Sequence, residues 1–142
     1  MLGDGQLSLK QAADRSYDLI VIDAFSSDAI PTHLLTREAL ALYLRKLRPG
    51  GVILFNLSNK YLGLGPVVAN GVASVNAFAR RQLFYPSDQE SADGASGSEW
   101  MVIAGKQADL DLLGRYARWQ PTRAQGAPWT DDFSNIFRVI VW

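Results

Sequence analysis

Residues 17–57, YDLIVIDAFSSDAIPTHLLTREALALYLRKLRPGGVILFNL, read as strand, helix, strand. Tyr17 to Asp23 is a short, continuous apolar run with β-branched residues, closed by Ser26 and Ser27. Such a run predicts a strand buried on both faces, as in parallel sheets. Thr36 is placed to cap a helix over Arg37 to Arg48, where Leu40, Tyr43, Leu44 and Leu47 recur at i, i+3, i+4 and i+7 as one apolar stripe. Pro49, Gly50 and Gly51 end that helix, and Val52 to Leu57 (VILFNL) supply a second buried strand. The unit is βαβ, which predicts a parallel pair joined by a right-handed crossover.

Outward from this block, Leu7 to Ala13 predicts a short amphipathic helix. Gly65 with Pro66 at a first helical position opens another, with Val68, Val72, Val75 and Ala79 on its inward face. A third strand is expected near Gln82 to Tyr85, and a fourth at Glu99 to Ala104. The small polar residues of Ser87 to Ser98 form an exposed connection between them. Leu110, Leu113 and Ala117 predict a helix ending near Trp119, and the tail from Trp129 carries a turn at Asp131 and Asp132. The expected fold is α/β, a mainly parallel sheet with helices on both faces. Ligands of such sheets bind beyond the carboxyl ends of the strands.

Composition narrows the function classes. The chain has 142 residues, 48% hydrophobic and 20% charged, which suits one compact soluble domain. Fourteen basic residues balance fourteen acidic ones, so no global field favours nucleic acid or anionic lipid. Cysteine is absent, which removes disulfides and thiolate chemistry. The longest aliphatic stretch, Leu19 to Ile22, is far short of a membrane span, and no export leader follows Met1. The expectation is a cytoplasmic chain without membrane contact of its own, a description that also fits the soluble domain of a membrane-fused protein.

Several residues carry possible chemistry. Asp23 ends the first strand, where a carboxylate either faces a ligand or caps the following turn. Asp28 lies five residues on, and the two together would suit a cation. Gly3-Asp4-Gly5 is a weak phosphate signal with no strand before it, so a helix-capping role for Asp4 is the better reading. Ser58 to Tyr61 follows the second strand and should reach the same edge. His33 is the only histidine, too few for a histidine metal site. Asp131 and Asp132 read as a turn before a cation site.

Taken together, GDGQLSL (3–9), the block from Tyr17 to Leu62, and WTDDFSN (129–135) resemble the spermidine synthase-like family, whose fold is that of class I S-adenosylmethionine-dependent methyltransferases. The resemblance implies that Asp4, with Gly5 beside it, binds the adenine amine of the adenosyl substrate. It implies that Asp23 helps to accept a proton from an attacking amine, and that Ser26, Ser27 and Asp28 lie in the loop over the substrate; Asn59 and Tyr61 are expected on the substrate side from their place after the second strand. The implied reaction is aminopropyl transfer from decarboxylated S-adenosylmethionine to a small amine, without a metal. Methyl transfer from S-adenosylmethionine and a non-catalytic assembly role are the alternatives.

The sequence departs from polyamine synthases in three places. Ser26 stands where a second acid is usual, with Asp28 two residues later. The C-terminal tyrosine and histidine motif is missing, and WTDDFSN belongs to a branch often fused to transporter-like membrane segments. The family's glycine-rich turn and ribose-binding acid would fall upstream of Met1, so the chain reads as a C-terminal half, expected to self-associate or pair with an N-terminal half. A phosphoacceptor receiver domain, suggested by Asp23 at a strand end, lacks support because Lys106 precedes Gln107 rather than proline.

Overall fold

The computed structural model describes residues 5–23, 31–59, 62–135 and 140. Their element order is α1 (Gly5–Gln11), β1 (Tyr17–Ile22), a 3-10 turn (Thr32–Leu34), α2 (Arg37–Lys46), β2 (Leu47–Asn56), α3 (Gly65–Ser74), β3 (Phe78–Phe84), α4 (Asp88–Ala92), β4 (Ser98–Ala104), two further 3-10 turns (Gln107–Leu110, Leu113–Arg115) and β5 (Gln120–Pro121).

Among the described residues the sheet order is β1-β2-β4-β3-β5. Only β1 and β2 pair in parallel; β2 with β4, β4 with β3, and β3 with β5 are antiparallel. The expected mainly parallel sheet is therefore corrected. β1, β2 and β3 do point the same way, but β4 inserts between β2 and β3 in the opposite sense. The polar connection before β4 explains the reversal. Its one helix, α4, has five residues, about 7.5 Å at 1.5 Å per residue, too short to cross back along the sheet for a parallel return.

Strand alternation assigns the two faces. Ile20, Ile53, Phe55, Met101, Ile103 and Ala79 share one core with Leu40 and Tyr43 of α2 and with Val68 and Val72 of α3, and Leu9 of α1 packs onto it. Tyr43 anchors this core, its ring tilted against Phe55 at 6.2 Å and its hydroxyl donating to the Leu34 carbonyl. Among the described residues the opposite face buries Val102, Ala104 and Leu110, backed by Val52, Leu54, Leu113 and Trp119. The expectation of helices on both faces is corrected accordingly: α1 to α3 share one face, and 3-10 turns cover part of the other. The helix expected to end near Trp119 is in fact those turns.

That asymmetry leaves β1 half bare. Ile20 is buried, but Leu19 and Val21 are 51% and 52% exposed, so the strand is not buried on both faces. Among the described residues β1 pairs only with β2.

Local signals explain the element ends. The Thr36 side chain accepts from the Ala39 N–H, the expected cap of α2. α3 stops at Ser74, with Asn76 in the left-handed region at φ 55°. Ala79 consequently lies on β3 rather than on the helix, and β3 starts four residues before the expected strand. Ser87 and Glu90 form a reciprocal capping box that nucleates α4 inside the exposed connection between β3 and β4.

At the start of β2 the register jumps from Tyr17 opposite Leu47 to Leu19 opposite Val52. Gly50 takes φ +81°, and a methyl at Gly51 would lie 3.0 Å from the Arg48 carbonyl oxygen and 3.1 Å from those of Asp18 and Tyr17. Backbone oxygens have little freedom to retreat. Gly51→Ala is therefore expected to destabilise the fold by about 1–3 kcal/mol, read as a lower urea midpoint at unchanged slope.

Lys46, the last residue of α2, ties that helix to the segment that follows α1. Its side chain is 4% exposed, and Nζ donates to the Ala12 carbonyl at 2.6 Å and to Asp14 Oδ1 at 2.8 Å. The hydrogen bond from Lys46, aided by the charges of Lys46 and Arg45 and opposed by partial desolvation, holds the Asp14 carboxyl below its usual range. A depressed carboxyl stabilises the fold above its unfolded value of about 4, and that contribution is lost as pH falls through the lower folded value. Acidification from neutral pH to about pH 3 should therefore lower the urea midpoint more in the wild type than in Asp14→Asn.

Candidate functional site

The parallel pair β1 and β2 ends side by side, with Ile22 opposite Phe55. The next residue on each strand is polar: Asp23 after β1 and Asn56 closing β2. Asn56 Nδ2 donates to Asp23 Oδ1 at 2.9 Å, and Asn56 Oδ1 accepts from the Ser58 N–H at 3.1 Å. The second bond fixes which way the amide faces, so its NH2 group is held toward the carboxylate. Asp23 is exposed, and its Oδ2 has no hydrogen-bond partner among the described residues. The arrangement is a carboxylate positioned through one of its two oxygens.

Asn56 was missed by the sequence reading, which absorbed it into the apolar strand VILFNL. The signal was its polarity: an amide ending a buried run, at the carboxyl edge, with no reason of packing to be there.

The Ser58 hydroxyl accepts from the Glu99 N–H at 3.0 Å, while the Glu99 carbonyl accepts from the Leu57 N–H, so the chain leaving β2 is stitched to β4. Asn59 Oδ1 accepts from the Leu62 N–H. These contacts shape the loop after β2.

Gly5 opens α1. Gln6 Nε2 donates to the His33 carbonyl in the turn before α2, whereas Ala12, beyond the far end of α1, is held by Lys46, the last residue of α2, where the chain enters β2. α1 therefore begins at the carboxyl edge of the sheet and ends at its amino edge, which puts Gly5 on the same edge as Asp23. Asp4, Ser26, Ser27, Asp28 and Tyr61 lie outside the described residues.

Asp131 is accounted for structurally. Its Oδ1 accepts from the Thr36 hydroxyl at 2.6 Å and its N–H donates to Glu38 Oε2, joining the C-terminal turn to the first turn of α2. The turn itself closes through reciprocal hydrogen bonds between Thr130 and Phe133. No group of three or more histidine, cysteine, aspartate or glutamate residues suited to a metal ion occurs among the described residues, and no helix there is long and apolar enough to cross a membrane.

No family model matches the chain. A polyamine aminopropyltransferase of Vibrio vulnificus is 39% identical over 56 residues, which are 38% of this chain and 19% of that protein. A probable spermidine synthase from Corynebacterium glutamicum superposes with a TM-score of 0.61 at 16% identity, covering 94% of this chain and 54% of its own. Both are spermidine synthase-like. The resemblance is thus to that family, and the fold is the α/β fold of a spermidine synthase. The chain spans about a fifth of the curated relative and about half of the solved structure.

Proposed function

We infer that this chain forms the acceptor side of an aminopropyltransferase-like cleft, in which Asp23 takes the proton of the attacking amine. The observation that carries this reading is the Asp23–Asn56 pair at the carboxyl ends of adjacent parallel strands, where ligands of α/β sheets bind. Likeness to a polyamine aminopropyltransferase and to a probable spermidine synthase supports the choice of chemistry.

The reaction is an in-line displacement. The amine nitrogen forms a bond to the carbon beside a sulfonium, the carbon–sulfur bond breaks, and a neutral thioether leaves. An alkylamine with a pKa of about 10.4 is almost wholly protonated at neutral pH, so releasing its lone pair costs roughly 4–5 kcal/mol. The free oxygen of Asp23 serves as acceptor for that proton, while Asn56 holds the other. Asp28, in the following loop, is proposed to anchor a distal ammonium, with Ser26 and Ser27 beside it and Asn59 and Tyr61 across the edge. Asp4 and Gly5 are proposed to receive the adenine of decarboxylated S-adenosylmethionine.

The bare side of β1 supports a further part of the reading, that additional strands of the same domain complete this cleft. Two aliphatic side chains, each worth about 1.5–3 kcal/mol when fully buried, are here half exposed, which puts roughly 1.5–3 kcal/mol at stake. That is a fraction of a typical stability of about 5–15 kcal/mol, so the chain keeps its fold while exposing an adhesive edge. Sedimentation at micromolar concentration is expected to show self-association, and a strictly monomeric species would count against it.

Calorimetry tests the function. Decarboxylated S-adenosylmethionine, S-adenosylmethionine and methylthioadenosine would be titrated into this chain and into a version extended upstream. Binding by the extended version alone, with aminopropyl transfer to a polyamine, is the expected result. Methyl transfer instead would redirect the chemistry, and no binding by either protein would remove the enzyme reading.

A further inference from the structure

At the other side of the sheet a cavity of about 600 Å³ opens between the start of α3, strand β3 and the segment around the edge strand β5. Its volume falls within the range of small-molecule sites, about 300–1,000 Å³. Its walls are mixed. Pro66, Leu83 and Pro121 are apolar, while Arg81, Arg118 and Arg123 contribute three arginines to the lining.

Those arginines are not equivalent. Arg81 Nε lies 2.5 Å from Glu99 Oε1 in a largely buried pair, so its charge is balanced. Arg118 and Arg123 are exposed and form no ion pair among the described residues. Nothing nearby in the chain offsets them, because residues 112–130 contain three arginines and no acid. In a protein whose formal charge is zero, this is a local positive excess facing a concave surface.

The segment that carries them is held in place. Gln120 and Pro121 pair with Arg81 and Arg80 of β3. Beyond the cavity, the Asn70 side chain of α3 accepts from the Gln125 and Gly126 N–H groups and donates to the Ala127 carbonyl. Arg118 and Arg123 thus flank an anchored strand rather than a free coil, which lowers the ordering cost of engaging a ligand.

We propose that this cavity binds a small phosphomonoester, its phosphate between Arg118 and Arg123 and its organic body against Pro66 and Leu83. Charge count selects the class: a phosphomonoester carries about −1.5 to −2 at neutral pH and matches two free guanidiniums, whereas one carboxylate would leave one unbalanced. Guanidinium groups meet phosphate oxygens bidentately, and the apolar wall gives the ester's organic part a place that inorganic phosphate would leave unfilled. The site is three strand spacings from β1, about 14 Å, and it stands or falls independently of Asp23.

Calorimetry of this chain with phenyl phosphate at low ionic strength tests the assignment. Saturable binding is expected, tighter than for inorganic phosphate. It should weaken at least about 10-fold in Arg118→Ala/Arg123→Ala and less in Arg118→Lys/Arg123→Lys, which keeps charge without the planar fork. Both pairs of substitutions fall on exposed side chains, so an unchanged circular dichroism spectrum and unfolding midpoint should accompany them. The proposal is overturned by absence of saturable heat with phenyl phosphate, by equal affinity in the alanine variant, or by benzyl alcohol binding as tightly as the phosphate ester.

Discussion

Asp23→Asn, in a form of the protein that transfers aminopropyl groups, is expected to lower kcat by about 10²–10⁴, the usual worth of a positioned general base. An amide keeps the size and the hydrogen-bonding reach of the carboxylate but cannot take up the amine's proton. The roughly 4–5 kcal/mol needed to expose the lone pair then falls on solvent. Because Asp23 is exposed, the unfolding midpoint should hardly move, which separates chemistry from folding. Raising the pH should restore part of the rate, since a larger fraction of amine is then already neutral. Asn56→Ala is expected to cost about 10-fold, in line with one hydrogen bond, and to leave the pH profile in place, because it positions Asp23 without replacing it. A rate unchanged in Asp23→Asn would reduce that residue to a cap on the turn after β1.

The second large effect is expected at Gly65. A methyl there would run into Glu99 Oε1 and lie 2.8 Å from Arg81 Cζ and Nε. Those two side chains are 12% and 31% exposed and grip each other at 2.5 Å, so neither can swing aside without leaving a desolvated charge behind. Breaking such a pair costs about 3 kcal/mol, the low end for a buried one, and Gly65→Ala is expected to lower the thermal midpoint by roughly 10 °C in a domain this size. A double-mutant cycle gives the diagnosis. In a Glu99→Ala background the contact with Glu99 is gone and Arg81, released from its partner, can move away from the methyl, so the two losses should combine to less than their sum. Strict additivity would mean that the cost arises at the helix start alone.

The parts of the fold that were legible before any coordinates were those set by local chemistry. Thr36 as a cap, Pro66 at the head of α3 and the β-branched runs of β1, β2 and β4 each depend on a few neighbours, and each appears where its residues lead one to look. Strand direction was harder to read. The reversal of β4 depends on how little length α4 contributes, and α4 itself rests on a capping box hidden in a stretch of small polar residues. The burial of β1 was illegible in principle, because what covers Leu19 and Val21 is decided by other elements and not by the strand. At the site, Asp23 was found through its place after an aliphatic run. Its partner Asn56 was hidden inside one, where a count of apolar residues tolerates a single exception.

The half-covered first strand also bears on how such a domain is assembled from separate pieces. If further strands do complete the domain, as proposed above, a division along the open edge of β1 leaves the Asp23–Asn56 pair wholly on one side. A complementing piece carried on the same polypeptide would meet this edge at an effective concentration on the order of millimolar. Supplied as a free molecule, it must first overcome a loss of translational and rotational freedom of about 4–15 kcal/mol, more than Leu19 and Val21 return. Whether the two pieces stay together is then governed by the tether and by the area beyond these two side chains, and fragment complementation with tethers of graded length would measure that balance.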